Sequence, residues 1–140
     1  MNAEQIKLVQ DSFEQVKPIA DQAVEIFYTR LFEVAPDTRH MFKGDMRKQG
    51  AMLMSTLGLA VGSLNDLDKI IPAVRALGKR HVAYGVQFEH FAVVGEALLW
   101  TLQQAFGAAF TPELKSAWTE AYLLLAGVMQ EAMSEVALPA

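Results

Sequence analysis

Apolar residues recur at three- and four-residue intervals through nearly all of the chain, and no stretch alternates apolar and polar residues between turn signals as a strand would. That periodicity commits the backbone to helices and leaves the packing of their apolar stripes as the route to a core. A first helix is expected from about Ala3 to Lys17, with Asn2 as N-cap, Gln5 completing a capping box, and a stripe of Ile6, Val9, Phe13 and Val16. Pro18 suits the first turn of a second helix that carries Ala20, Val24, Phe27, Tyr28, Leu31 and Phe32. Pro36 opens a short turn ending near Phe42, Lys43-Gly44-Asp45 reads as a loop, and a third helix runs from about Met46 to Leu64, where Asn65-Asp66 breaks it. A fourth helix begins near Ile70 and stops near Gly85. The fifth spans about Glu89 to Phe106, and the last is announced by Thr111-Pro112-Glu113 and runs to about Val136. The expected fold is all-α, with six to eight helices joined by short loops, packed as an antiparallel bundle or as crossed helices.

The length of 140 residues fits one compact domain over residues 1–140, without repeat or linker. Hydrophobic residues at 52% are slightly above, and charged residues at 20% slightly below, the usual soluble balance. The surplus apolar surface suits extra core, an oligomer interface or the lining of a pocket. A net charge of −4, with Arg47-Lys48 and Lys79-Arg80 as isolated basic pairs, argues against a nucleic acid partner. With no cysteine there is no disulfide framework, thiolate nucleophile or cysteine-based metal site. The start, Met1 to Lys7, is too polar for a signal peptide, and the longest nearly apolar run, Ala121 to Met129, is about half of the roughly 20 residues of a membrane span. A cytoplasmic protein without a membrane span, monomeric or weakly dimeric, is the expectation.

Three polar residues sit where the pattern calls for apolar ones. From Ile70 to Tyr84, the positions Ile71, Val74, Leu77 and Gly78 lead to His81 on the same helical face. An imidazole there needs a hydrogen-bond partner or a metal, because burying it unpaired costs a few kcal/mol. On periodicity alone a satisfied core histidine is the commoner outcome. Tyr28 lies on the stripe of Val24 and Leu31, and Gln49 on that of Leu53 and Leu57. Each alone reads as core with its polar tip turned to water. Together, inward-facing polar groups on three helices suggest a dry pocket with a metal ligand on one side and hydrogen-bond donors on another.

At these residues the sequence resembles the bacterial single-domain globins and the haemoglobin domain of flavohaemoglobins. The likeness runs through Ile26-Phe27-Tyr28-Thr29-Arg30-Leu31-Phe32, Pro36 with Phe42 six residues on, and Ile71-Pro72-Ala73-Val74. It continues through Lys79-Arg80-His81, His90-Phe91-Ala92-Val93-Val94-Gly95, Ala117-Trp118 and Ala121-Tyr122. The resemblance implies a globin fold around one haem b, with His81 as the iron ligand and Phe42, Leu53, Arg80, Val94 and Tyr122 against the cofactor. It implies that Tyr28 and Gln49 donate hydrogen bonds to a bound gas, with Leu53 beside it. Lys79, Arg80 and Arg47 are within reach of the propionates, though a solvated face accounts for them equally well. The ligands implied are O2, CO and NO, held with high oxygen affinity. A further implication is nitric oxide dioxygenation, which needs a separate reductase, since the chain carries no FAD or NAD fingerprint. A gas sensor and a haem-free regulator are the remaining readings.

The likeness also departs from the family. Aligned without gaps, Phe91 and Met133 stand where those globins carry a tyrosine and a glutamate that bond the proximal histidine. A carboxylate partner pushes electron density toward the iron and favours O–O cleavage. Glu131 and Glu135 are the carboxylates that a shift of helix register brings to that place. Without one, the histidine is expected to bond a backbone carbonyl, and the chain to hold oxygen rather than activate it. His40 and His90 are read as surface or packing residues.

Overall fold

The structure is a computed structural model that describes residues 1–42, 44–83 and 85–137. Its α-helices are α1 (Ala3–Val16), α2 (Ala20–Val34), α3 (Met46–Gly62), α4 (Ile71–Ala83), α5 (Phe88–Phe106) and α6 (Pro112–Ala137), with no strand among the described residues. None of these helices is long and apolar enough to cross a membrane.

Local chemistry sets most of the boundaries. Asn2 caps α1 through the capping box with Gln5, its side chain accepting from the Gln5 amide at 2.8 Å while the Gln5 side chain accepts from the Asn2 amide at 3.1 Å. Asp45 caps α3 by accepting from the Arg47 amide at 2.9 Å. Pro18 does not open α2: it lies in a separate 3-10 turn, Lys17–Ile19, and α2 starts at Ala20. The proline has no N–H to donate, so the chain tightens there before the longer helix takes over. Pro36 likewise starts a 3-10 turn, Pro36–Met41, and Phe42 follows it in extended backbone. Helix α3 ends at Gly62, two residues before the expected Leu64. Gly85 takes φ +84°, a left-handed conformation that costs glycine little, just beyond α4. Lys43 in the expected loop and Tyr84 at the expected end of the fourth helix lie outside the described residues.

Packing divides the interior in three. The largest core joins α1 and α6 with parts of α3 and α5, around Val9, Phe13, Val61, Leu102 and Trp118. The Trp118 indole donates to the Ser12 hydroxyl at 2.9 Å, which in turn donates to the Val9 carbonyl. A second core gathers α2, the start of α3 and the middle of α5, and a third lies between α5, α6 and the end of α4. Two glycines let backbones approach. A Cβ on Gly50 would collide with Val24, so α3 lies directly on α2. A Cβ on Gly78 would stand 2.6 Å from the Met129 carbonyl oxygen, so α4 rests on the backbone of α6.

Candidate functional site

Tyr28 is positioned from three sides. Its ring meets Phe27 edge-on at 5.1 Å and Phe42 at 5.2 Å, and stacks on Phe32 at 5.9 Å. Phe42 reaches this cluster because the 3-10 turn after α2 brings it back, and it also meets Phe32 at 5.5 Å. Leu53 and Val94 pack against the same cluster, from α3 and α5. Four of the residues singled out in the sequence, Tyr28, Phe42, Leu53 and Val94, therefore pack into one apolar cluster.

The Tyr28 hydroxyl is the polar feature of that cluster. The residue is 8% exposed, and among the described residues no group hydrogen-bonds its hydroxyl. Burial pushes its pKa up to about 12, which keeps it a donor at neutral pH. Gln49 lies half-buried one turn before Leu53, next to Gly50 where α3 approaches α2, and its side-chain amide bonds no described group.

On α4, the half-buried His81 has Nδ1 2.7 Å from the Leu77 carbonyl oxygen. A carbonyl only accepts, which assigns the proton to Nδ1 and the lone pair to Nε2. Burial lowers the His81 pKa against the opposing pull of that carbonyl bond, and the neighbouring Arg80 charge lowers it further. The ring is neutral at physiological pH, the state in which imidazole binds a metal.

Behind α4 the third core is apolar. Phe91 and Met133 are buried together with Ala126, against Val82, Val86, Tyr122 and Met129. Glu131 and Glu135 are not in it: both ion-pair with Arg75 on the outer side of α4, Glu131 at 3.8 Å. The Tyr122 hydroxyl donates to the Phe91 carbonyl at 2.6 Å. Arg80, Lys79 and Arg47 are exposed and make no ion pair among the described residues. Of the other histidines, His40 is exposed, whereas His90 is buried as part of the α5 cap, its Nδ1 accepting from the Gln87 amide at 2.9 Å.

Not read from the sequence was the clasp between α2 and α5, in which Arg30 donates to both oxygens of Glu96 and lies 4.2 Å over the Trp100 ring. No local signal marks it, because its partners are 66 residues apart.

Comparison with protein families matches the globin model over residues 25–129. The chain belongs to the globin family. Among curated relatives, this globin is 28% identical over 131 residues to a flavohemoprotein of Vibrio cholerae, covering 91% of this chain and 33% of that protein. It is 32% identical over 103 residues to the flavohemoprotein of Bacillus subtilis, covering 71% of this chain and 26% of the relative. The globin thus spans about a third or less of the length of these relatives. Among solved structures it resembles an engineered carbene transferase from Rhodothermus marinus, a variant of a protein named for nitric oxide dioxygenase. The TM-score is 0.87 at 26% identity, covering 97% of this chain and 95% of that one. A bacterial globin from Campylobacter jejuni shares the fold with a TM-score of 0.83 at 23% identity, covering 96% and 98%.

Proposed function

We propose that this globin holds haem b through Nε2 of His81 and binds O2, CO and NO reversibly, with high oxygen affinity. The observation that carries this reading is the bond from His81 Nδ1 to the Leu77 carbonyl at 2.7 Å, which fixes a neutral, half-buried imidazole with its lone pair on Nε2. The apolar cluster of Phe42, Leu53 and Val94 suits a porphyrin, and the Tyr28 hydroxyl, which bonds no group among the described residues, suits a polar guest beside it. Arg80 and Tyr122 complete the set of cofactor contacts proposed from the resemblance.

When bound, the haem supplies an iron that takes up diatomic gases and, with oxygen and an electron donor, converts nitric oxide to nitrate. Every remaining role belongs to the side chains. Tyr28 and Gln49 donate hydrogen bonds to the guest, Tyr28 from a hydroxyl whose raised pKa keeps its proton. At about 1–2 kcal/mol each, the pair slows oxygen release roughly ten- to a thousand-fold. Leu53 excludes water beside them. The amide of Gln49 is a poor metal ligand and would not compete for an iron held by His81. On the other side, Phe91 and Met133 offer the histidine no carboxylate, which favours holding oxygen over cleaving it.

Nitric oxide dioxygenation with a separate reductase is the cellular use we assign to this site, supported by the likeness to flavohemoproteins and to the Rhodothermus marinus protein. An absorption spectrum tests the haem: a sharp Soret band that shifts with carbon monoxide is expected, and its absence ends the proposal. Mixing the oxygenated protein with nitric oxide, followed by a reductase, tests the turnover.

A further inference from the structure

Among the described residues no polar group fixes the direction of the Tyr28 hydroxyl, so the rings around it set where that donor points. Phe27 and Phe42 meet Tyr28 edge-on, and Phe32 lies nearly parallel to it, at 21°. Phe27 is buried, but Phe32 and Phe42 are only half-buried, so the core does not enclose them on every side.

Arg39 acts on both half-buried rings. Its carbonyl accepts from the Phe42 amide at 3.1 Å, the bond that closes the Pro36–Met41 turn and leads into Phe42. Its guanidinium lies 5.0 Å over the Phe32 ring. Phe32 and Phe42 in turn meet each other at 5.5 Å, with their planes 68° apart. The turn is itself braced, because the buried Thr38 donates its hydroxyl to the Ala35 carbonyl at 2.7 Å. Arg39 is exposed, yet it ion-pairs with no carboxylate among the described residues. Asp37, two residues earlier, lies 3.9 Å from His90 instead. A guanidinium without an ion pair that rests over an aromatic ring is attracted by the ring's quadrupole and shields it from water.

We infer that Arg39 is a positioning residue for oxygen: through Phe32 and Phe42 it keeps the Tyr28 ring turned so that its hydroxyl donates to the guest. The inference rests on the haem reading above, since the guest is the gas held there. A hydrogen bond weakens steeply as its angle departs from linear. A Tyr28 ring that rocks against a loosened Phe32 therefore loses part of the donor's effect while the donor itself remains. The loss is selective. A guest that gathers negative charge, as oxygen does, gains from the donor, whereas carbon monoxide gains little. The contact of an exposed cation with a ring bounds the effect at about two- to fivefold.

The test uses the haem-loaded protein and Arg39→Gln, which removes the cation and leaves the backbone bond of the turn in place. Stopped flow should show oxygen release quickened about two- to fivefold, with carbon monoxide release unchanged. The infrared stretching band of bound carbon monoxide should move to higher wavenumber as the donor's positive end turns away. In the Tyr28→Phe background, where the donor is already gone, Arg39→Gln should change oxygen release no further. An unchanged oxygen rate or an unmoved infrared band in Arg39→Gln overturns the positioning role alone. So does an equal quickening of carbon monoxide release, or the same quickening of oxygen release in the Tyr28→Phe background. Absence of a carbon monoxide-sensitive haem band overturns the haem reading and the positioning role with it.

Discussion

The Tyr122 hydroxyl donates to the main-chain carbonyl of Phe91 at 2.6 Å, tying the middle of α6 to the start of α5. The residue that the resemblance set against the cofactor thus spends its polar group on the scaffold. Tyr122→Phe should cost about 1 kcal/mol of stability, read from denaturant unfolding. Oxygen dissociation should stay near the parent rate, and a large change there would show that the hydroxyl reaches the gas site.

Replacing Gly78 should disturb the helix that carries His81. A Cβ there would lie 2.6 Å from the Met129 carbonyl oxygen and 2.9 Å from its Cα, both backbone atoms that cannot rotate away. Gly78→Ala should therefore push α4 off α6, destabilise the protein by about 1–3 kcal/mol and speed haem transfer to an acceptor apoglobin. Thermal unfolding and the transfer rate check the two effects separately.

Tyr28→Phe keeps the aromatic packing and removes the donor. Oxygen dissociation, measured by stopped flow against carbon monoxide, should quicken at least severalfold. In the parent protein the rate should be flat from about pH 6 to about pH 10, since the hydroxyl keeps its proton until near its pKa of about 12.

The same shift has a consequence for alkaline stability. The folded pKa of Tyr28, about 12, lies above the value near 10 of an unfolded tyrosine, so its contribution is full below about pH 10 and is lost as pH rises toward 12. Burial moves Tyr122 in the same direction. Urea unfolding of the apoprotein should show stability falling over that window, and less steeply in Tyr28→Phe.

Asp45→Ala should test how Gln49 is held. Losing the acceptor for the Arg47 amide frays the first turn of α3, at a cost of about 1 kcal/mol, one turn before Gln49. Faster oxygen release is expected alongside the stability loss, with Asp45→Asn restoring both.

The helices were legible wherever a local device marks them. Asn2 with Gln5, and Pro112 after Thr111, act within a single turn, so the sequence carries their whole cause, whereas Asp45, read as loop, turns out to cap α3. Pro18 was not, because whether a proline opens an α-helix or sits in a 3-10 turn depends on how the next helix is pulled into the core. Periodicity picked out Tyr28, Gln49 and His81 as polar residues on apolar faces but left their roles open. The joining of Tyr28, Phe42, Leu53 and Val94 comes from the approach of α2, α3 and α5, which is tertiary. The ion pairs of Arg75 with Glu131 and Glu135 were likewise out of reach, spanning 56 and 60 residues.

Met133 is 3% exposed, closed in by Phe91 and Ala126. A glutamate arriving there by a single substitution would bury an ionised group among apolar neighbours, a penalty of several kcal/mol before any benefit could accrue. A tyrosine arriving alone at position 91 would bring a hydroxyl into the same apolar surroundings. Each change is a loss without the other, so a lineage with this packing faces a fitness valley. The chemistry open to the proposed haem site is confined by the order in which mutations are tolerable.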